Sequence, residues 1–455
     1  MAQGFLRFVK AINSVLWGPA ALVFLGLIGI YLTIGTKGVH IKKFKYILSR
    51  TIGQVGKKNE DDSEGVLTSA QSMFTSLASV IGMGSIVGVA SALISGGPGA
   101  IIWMWVAAFI GMIIKYAEII IIIKYRRKAE DGTYVGGPGL YVKNGLNIRG
   151  LGEVLVALMV IVCLLSTMIQ SNVIIENVVN IIPNAKDYKI VVTIINMVLA
   201  GIVVIGGIKR IGDVAEKLVP LMSIFYLIAS IIVIVFNYQN IIPVIGLMFK
   251  GAFTKVAVTG GALGYGIMKA MQFGIARGFF VSGAGQAVFT VSHAPAKVKN
   301  PVEQAIYGVT EIFLVTIICT ATGLAVLTSG VFSADGNAAI MVTEAFAETS
   351  KIFGYAVGIA TVLFAYTTVI GFGYIGESQL QTVISSKKAR YYKIFYLIAA
   401  FVGGLTVLDS IWDVTDFFLA IIMVVNLIVI LLESKEIFSI SNDYWKNLKA
   451  EEMKK

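Results

Sequence analysis

The sequence predicts an all-α polytopic membrane protein of about eleven transmembrane helices: one extra N-terminal helix followed by a 5+5 inverted repeat. Three observations predict it. Of 455 residues, 57% are hydrophobic and 14% charged, with a mean hydropathy of +0.84. No soluble domain of this length has such a composition. The apolar residues gather into eleven runs, each compatible with a bilayer span once tilt is allowed. Lysine and arginine concentrate in alternate loops, which gives every run a direction.

In order, the runs are 14–35, 69–94, 99–123, 152–182, 190–208, 218–236, 267–292, 302–328, 353–375, 391–408 and 414–433. No n-region, h-region and cleavage site stand together, so the first run reads as a retained helix. Setting it aside leaves ten runs, five and five. Five is odd, so the halves have opposite orientation, the arithmetic of an inverted repeat. The expected units are 1–67 (extra helix and basic loop), 68–236 (first repeat), 237–266 (connector), 267–433 (second repeat) and 434–455 (tail). The connector is apolar but broken by Pro243, Gly260, Gly261, Gly264 and Gly266. It reads as a linker with an interfacial helix, a twelfth span being the alternative.

The loops 37–67, 124–149, 209–217, 293–301 and 376–390, with the tail after 433, hold 26 of the 37 basic residues. The opposite loops hold 7. The positive-inside rule then puts the N-terminus outside a cell membrane and the C-terminus in the cytoplasm. The net charge of +11 thus lies against anionic lipid headgroups rather than nucleic acid. The outer loop 329–352, with Asp335, Glu344 and Glu348, reads as a solvated face. Cys163 and Cys319 sit in apolar runs and make neither a disulfide framework nor a metal set. His40 and His293 show no triad or ligand spacing, and no phosphate loop is present. An enzyme is not expected, and no cofactor is.

The chemistry centres on 76–90, S-L-A-S-V-I-G-M-G-S-I-V-G-V-A. Glycine weakens a helix by ~1 kcal/mol relative to alanine, and in lipid a freed backbone group costs several kcal/mol unless something binds it. Gly82 and Gly84 at mid-run therefore suggest a break whose free amides and carbonyls hold a solute and a cation. The alternative is close helix packing, since Gly84 and Gly88 are four apart. The run that opens the second repeat also carries central glycines, Gly283 and Gly285. Two interrupted helices in corresponding positions favour the binding reading.

Stretches along most of the chain resemble one family. They include N-S-V-L-W-G-P (13–19), I-S-G-G-P-G-A-I-I-W-M-W-V (94–106), K-Y-A-E (115–118), G-G-P (136–138) and Q-S-N (170–172). Further matches are G-G-I-K (206–209), G-I-A-R-G-F-F (274–280), T-A-T-G-L (320–324) and G-F-G-Y-I-G-E (371–377). The chain resembles the alanine or glycine:cation symporters of the amino-acid/polyamine/organocation group, whose fold is of the leucine-transporter type. The resemblance implies sodium-coupled uptake of a small neutral amino acid by alternating access, in a protein expected to be monomeric. Departures fall on the site. The family reads G-T-G-N-I where this chain has Gly82-Met83-Gly84-Ser85-Ile86. Its S-N-E-A-G-x-G-S-A-P is here 281–290, V-S-G-A-G-Q-A-V-F-T, and its tryptophan is here Phe372. The changed lining leaves open a proton-coupled or uncoupled carrier, or a sensor that no longer cycles.

On that resemblance, the main chain at Gly82, Met83, Gly84 and Ser85 is expected to take the substrate carboxylate. Ser282, Gly283, Ala284 and Gly285 would face it, with Gln170 and Phe372 completing the pocket and Asn172 close by. Sodium, the coupling ion, would sit among the carbonyls of Ala78, Ile81 and Phe364 and the hydroxyls of Thr367 and Thr368. Hydrogen bonding of each threonine to its own helix is the alternative. Among charges inside the runs, Lys115 and Glu118 are expected to pair, three residues apart on one helix. Lys269 reaches the interface, and Arg277 makes a packing or gating contact. Glu311 is the candidate for a proton-linked carboxylate, and Trp103 and Trp105 are expected to anchor the interface.

Overall fold

The computed structural model describes residues 2–54, 64–253, 266–336, 338–406 and 409–452. The first run is two helices, α1 (Ala2–Leu16) and α2 (Pro19–Gly35), bent by 40°. The bend has a local cause: a Cβ on Gly18 would lie 2.5 Å from the Ser14 carbonyl oxygen, and Pro19 starts a new helix without needing an N–H partner. Two short helices follow, α3 (Val39–Lys42) and α4 (Phe44–Thr51).

The stretch around 76–90 is α5 (Ser69–Val80) and α6 (Met83–Gly96), bent by 45°. A reciprocal capping box starts α5: Gln71 N donates to Thr68 Oγ1 and Thr68 N to Gln71 Oε1, both at 3.1 Å. Then come α7 (Ala100–Tyr125), α8 (Pro138–Asn144), α9 (Arg149–Ile181), α10 (Lys189–Ile205), α11 (Gly207–Phe236) and α12 (Ile241–Phe253). Between α7 and α8 lies a small antiparallel ribbon, β1 (Arg127–Lys128) with β2 (Tyr134–Val135), which an all-helical reading does not anticipate. Of the connector, α12 is described; Gly260, Gly261 and Gly264 lie outside the described residues.

The second half holds α13 (Ile267–Ser282), α14 (Pro301–Thr328), α15 (Ala338–Ala347), α16 (Lys351–Gln381), α17 (Ser386–Ala389), α18 (Tyr392–Leu405), α19 (Asp409–Leu432) and α20 (Ser434–Glu452). The loop read as a solvated face contains α15, whose Met341, Val342, Ala345 and Phe346 are buried. Its apolar side is thus packed, although its acids face outward.

Seven helices among the described residues are long and apolar enough to cross a bilayer, or up to nine if each bent pair is one span. The two other expected runs fall short as single helices. The 267–292 run stops helically at Ser282, and 391–408 contains only the 14 residues of α18. Glycines let the central helices approach. A Cβ on Gly274 would lie 2.4 Å from the Ala100 carbonyl oxygen, so α13 and α7 meet at backbone distance.

Candidate functional site

The first break is sharp. Ile81 (φ −81°, ψ 80°) ends α5, its N–H bonding the Leu77 carbonyl. Gly82 N reaches back to the Val80 oxygen at 3.0 Å, a γ-turn hydrogen bond. Gly82 follows at φ −122° and ψ −146°, and α6 begins after it with no side chain capping its N-terminus. Glycine is required here by approach rather than by φ. A Cβ at 82 would lie 2.6 Å from Thr368 Oγ1 and 3.3 Å from both amide atoms of Gln170.

Beside this break lies a narrow cleft. Gly82, Gly84, Gln170 and Phe372, all expected in a substrate pocket, line it, and so does Thr368. Polar additions that sequence reasoning missed are Ser79, Ser166 and Thr415. The rest is apolar, with Phe280, Val281, Phe289, Trp412 and Leu419 prominent. None of the described lining residues carries a charge. Gln170 is 7% exposed, and its Oε1 has no hydrogen-bond partner, a cost that a bound donor would remove.

The cation candidates converge on one hydroxyl. Thr368 Oγ1 lies 2.9 Å from the Phe364 oxygen, 3.0 Å from that of Ala78 and 3.5 Å from that of Ile81. A hydroxyl has one proton for three acceptors. Thr367 Oγ1 bonds the same Phe364 carbonyl at 2.9 Å and otherwise faces Met222 Sδ at 3.8 Å. Back-bonding therefore occurs at both threonines, but only Thr368 also reaches the first break.

Other expected residues are elsewhere. Ser85 is fully buried, outside the cleft, where its carbonyl oxygen faces Thr322 of α14. Asn172 donates to the Thr406 carbonyl and lines a separate cavity with Glu176 and Glu344. Met83 contributes the first residue of α6.

The second run also loses its helix. Gly283, at φ 64°, ends α13, and Gly285 and Ala287 follow with positive φ. A short 3-10 helix, Phe289–His293, then leads out. The residues expected to face the substrate here do not line the cleft: Phe280, Val281 and Phe289 on either side do. Ser282 bonds the Phe279 carbonyl within its own turn. Gly283, Ala284 and Gly285 are buried. A Cβ on Gly283 would lie 2.5 Å from the Phe289 ring, and Gly285 offers its carbonyl to Asn426 of α19.

The expected Lys115–Glu118 pair is not formed. Lys115 Nζ instead reaches Glu311 Oε1 of α14 at 2.8 Å, both side chains fully buried. Helical spacing allowed the nearer acid, but Glu118 is taken by the second break. It accepts from Ala287 N, Thr290 Oγ1 and Asn426 Nδ2. Of the expected anchors, Trp105 donates to Thr320 and Trp103 to the Ala252 carbonyl, so both tie helices together. Arg277 stacks its guanidinium over Phe280, 5.6 Å from the ring centre.

At one end of the bundle the segments leading into α5 and out of the 3-10 helix are bridged. Val66 N and Leu67 N reach the Pro295 oxygen, and Lys297 N reaches that of Leu67. Arg126 clamps both segments, donating to the carbonyls of Glu64, Ala294 and Ala296 at 2.6–3.0 Å.

Residues 2–455 match the model of the sodium:alanine symporter family. The chain is 36% identical to the sodium/alanine symporter AgcS of Methanococcus maripaludis, covering 96% of each. It is 35% identical to the uncharacterized transporter YflA of Bacillus subtilis, over 97% of this chain and 94% of that one. It is 31% identical to that organism's probable sodium/glutamine symporter GlnT, over 99% and 93%. In fold it resembles MhsT, solved in complex with L-phenylalanine, with a TM-score of 0.61 at 13% identity, over 83% of this chain and 93% of that one. The architecture is of that leucine-transporter type. The chain belongs to the sodium:alanine symporter family and is a multi-pass membrane transporter, not an enzyme.

Proposed function

We propose that the chain carries a small neutral amino acid, alanine- or glycine-like, into the cell with sodium by alternating access. The observation that carries this reading is the meeting of three main-chain carbonyls on Thr368 Oγ1, next to the uncharged cleft at Gly82 and Gln170. Sodium takes oxygen ligands. The carbonyls of Ala78, Ile81 and Phe364 and the hydroxyl of Thr368 supply them, with Thr367 joining through its hold on the Phe364 carbonyl. The substrate carboxylate lies against the start of α6, at Gly82, Met83 and Gly84, where no side chain caps the helix. Gln170 Oε1 accepts from the ammonium. Phe280, Phe289, Phe372 and Trp412 limit the side chain. A charged side chain would enter a cleft without a counter-charge.

The same reading takes the ten expected runs after the first, 69–94 to 414–433, as two inverted repeats, 68–236 and 267–433. The basic loops then face the cytoplasm, as does the Arg126 clamp. Coupling through a proton on Glu311 is disfavoured by the Lys115 ammonium at 2.8 Å, which neutralises that carboxylate in place.

The test is a panel of amino acids competing for binding to the purified protein, with sodium and with choline in its place. Alanine, glycine or a similarly small neutral amino acid should win, and only in sodium. Equal binding in choline, or preference for a charged amino acid, would remove the proposal.

A further inference from the structure

The mechanism above leaves the buried Lys115–Glu311 pair unused. Glu311 of α14 is fully buried and receives three donors. Lys115 Nζ of α7 and Ser76 Oγ of α5 reach its Oε1, both at 2.8 Å. His293 Nε2, at the end of the 3-10 helix, reaches its Oε2 at 3.0 Å. The imidazole's state follows from its other neighbour. Gln304 Nε2 lies 2.8 Å from His293 Nδ1 and 3.2 Å from the Ser69 carbonyl oxygen. A carbonyl only accepts, so the Gln304 amide nitrogen faces it as donor, Nδ1 accepts, and Nε2 carries the hydrogen given to Glu311. The group is then one cation, one anion and one neutral ring.

One carboxylate thus joins the helical half that precedes the first break, through Ser76, to the segment that follows the second, through His293. Ser76 Oγ also lies 3.1 Å from the Phe289 carbonyl, so it touches both interrupted helices at once. The remaining fastenings come from α7 and α14, which are unbroken. A buried ion pair is a poor source of stability, since apolar replacements of equal volume often do as well. Its better-attested use is to fix one arrangement among several.

We infer that Glu311 is a positioning residue for transport: neutralised by Lys115, it sets the register of α5 against the 289–293 segment and must release Ser76 once per cycle. This rests on the alternating-access reading, because a lock matters to flux only if the two segments part.

Ser76→Ala removes the α5 arm together with the Ser76–Phe289 contact, and leaves Lys115 and His293 on the carboxylate, so no buried charge is orphaned. The expected result is hydrogen exchange at least tenfold faster across 69–80, unmatched in α7. Sodium-driven uptake should fall about tenfold in maximal rate, with sodium affinity changed less than threefold. Ser76→Thr, which keeps the hydroxyl, should restore both. Unchanged exchange in Ser76→Ala would overturn the inference. So would a loss of uptake that follows sodium affinity, since Ser76 is two residues from Ala78 and would then act on the cation instead. Lys115→Met with Glu311→Gln removes both charges but leaves one acceptor oxygen where Ser76 and His293 each had their own, so one arm of the lock faces an amide nitrogen. It should melt near wild type yet carry the same loss of rate, and uptake at the wild-type rate would also overturn the inference. If wild-type uptake itself ignores sodium, the functional reading fails, and the exchange rates of Ser76→Ala still decide the lock.

Discussion

Three glycines in one stretch, Gly82, Gly84 and Gly88, are expected to respond to alanine in three ways. The φ of Gly82 is −122°, which an L residue adopts, so the penalty there is contact and not backbone strain. The new methyl would sit 2.6 Å from Thr368 Oγ1, about an ångström inside ordinary contact. Either the Ile81–Gly82 turn or the Thr368 side chain must move, and on the proposed reading the Ile81 carbonyl and the Thr368 hydroxyl both serve the cation. Overpacking of this kind costs about 1–3 kcal/mol, which is roughly a 5- to 150-fold loss of sodium affinity if it falls on that site. At Gly84 the methyl would meet Phe280 at 3.6 Å, a normal distance. It would take space in the cleft, so amino-acid affinity should fall while sodium affinity holds. At Gly88 the nearest atom is a Val281 methyl at 3.4 Å, and the residue is helical. Stability should rise there by up to ~1 kcal/mol, with both affinities unchanged. Binding of radiolabelled sodium and amino acid, with thermal melts, reads all three. Indistinguishable variants, or a larger sodium loss in Gly84→Ala than in Gly82→Ala, would refute the assignment of separate roles along this stretch.

Lys115→Met alone should destabilise the protein by about 3–5 kcal/mol, because it leaves Glu311 buried without its cation; thermal melts should show most of that recovered when Glu311→Gln is added. Arg126→Lys should fail to replace the clamp, since one ammonium cannot reproduce the guanidinium fork spanning the Glu64, Ala294 and Ala296 carbonyls. Its sign is faster hydrogen exchange at 64–68 and 294–297, with α9 unaffected.

Much of this was legible in the chain itself. The break at Gly82 was visible because glycine at mid-run in an apolar stretch has few purposes, and the structure adds the contact that demands it. Thr368 was expected as an oxygen ligand by resemblance, and the structure brings its hydroxyl to the Ala78, Ile81 and Phe364 carbonyls. The cleft's far wall was not legible: Phe280, Phe289 and Trp412 look like any aromatic in an apolar run, and only the packing of α13, the 3-10 helix and α19 around the cleft brings them together. The glycines after Ser282 shape the turn there without lining the cleft. Lys115 had an acid three residues away, and local spacing favours the near partner. Its true partner is 196 residues on, a distance that no periodicity encodes. The short α18 and the interrupted α13 explain why run-counting exceeds the helices that reach spanning length.

Sodium-driven amino-acid uptake in proteoliposomes, wild type against Thr368→Val, tests the central claim most directly. Valine keeps the shape and removes the one hydroxyl on which the Ala78, Ile81 and Phe364 carbonyls meet. Wild type should concentrate the amino acid only under an inward sodium gradient, and Thr368→Val should need at least tenfold more sodium or fail to concentrate it. Uptake by Thr368→Val with the wild-type dependence on sodium would contradict the account.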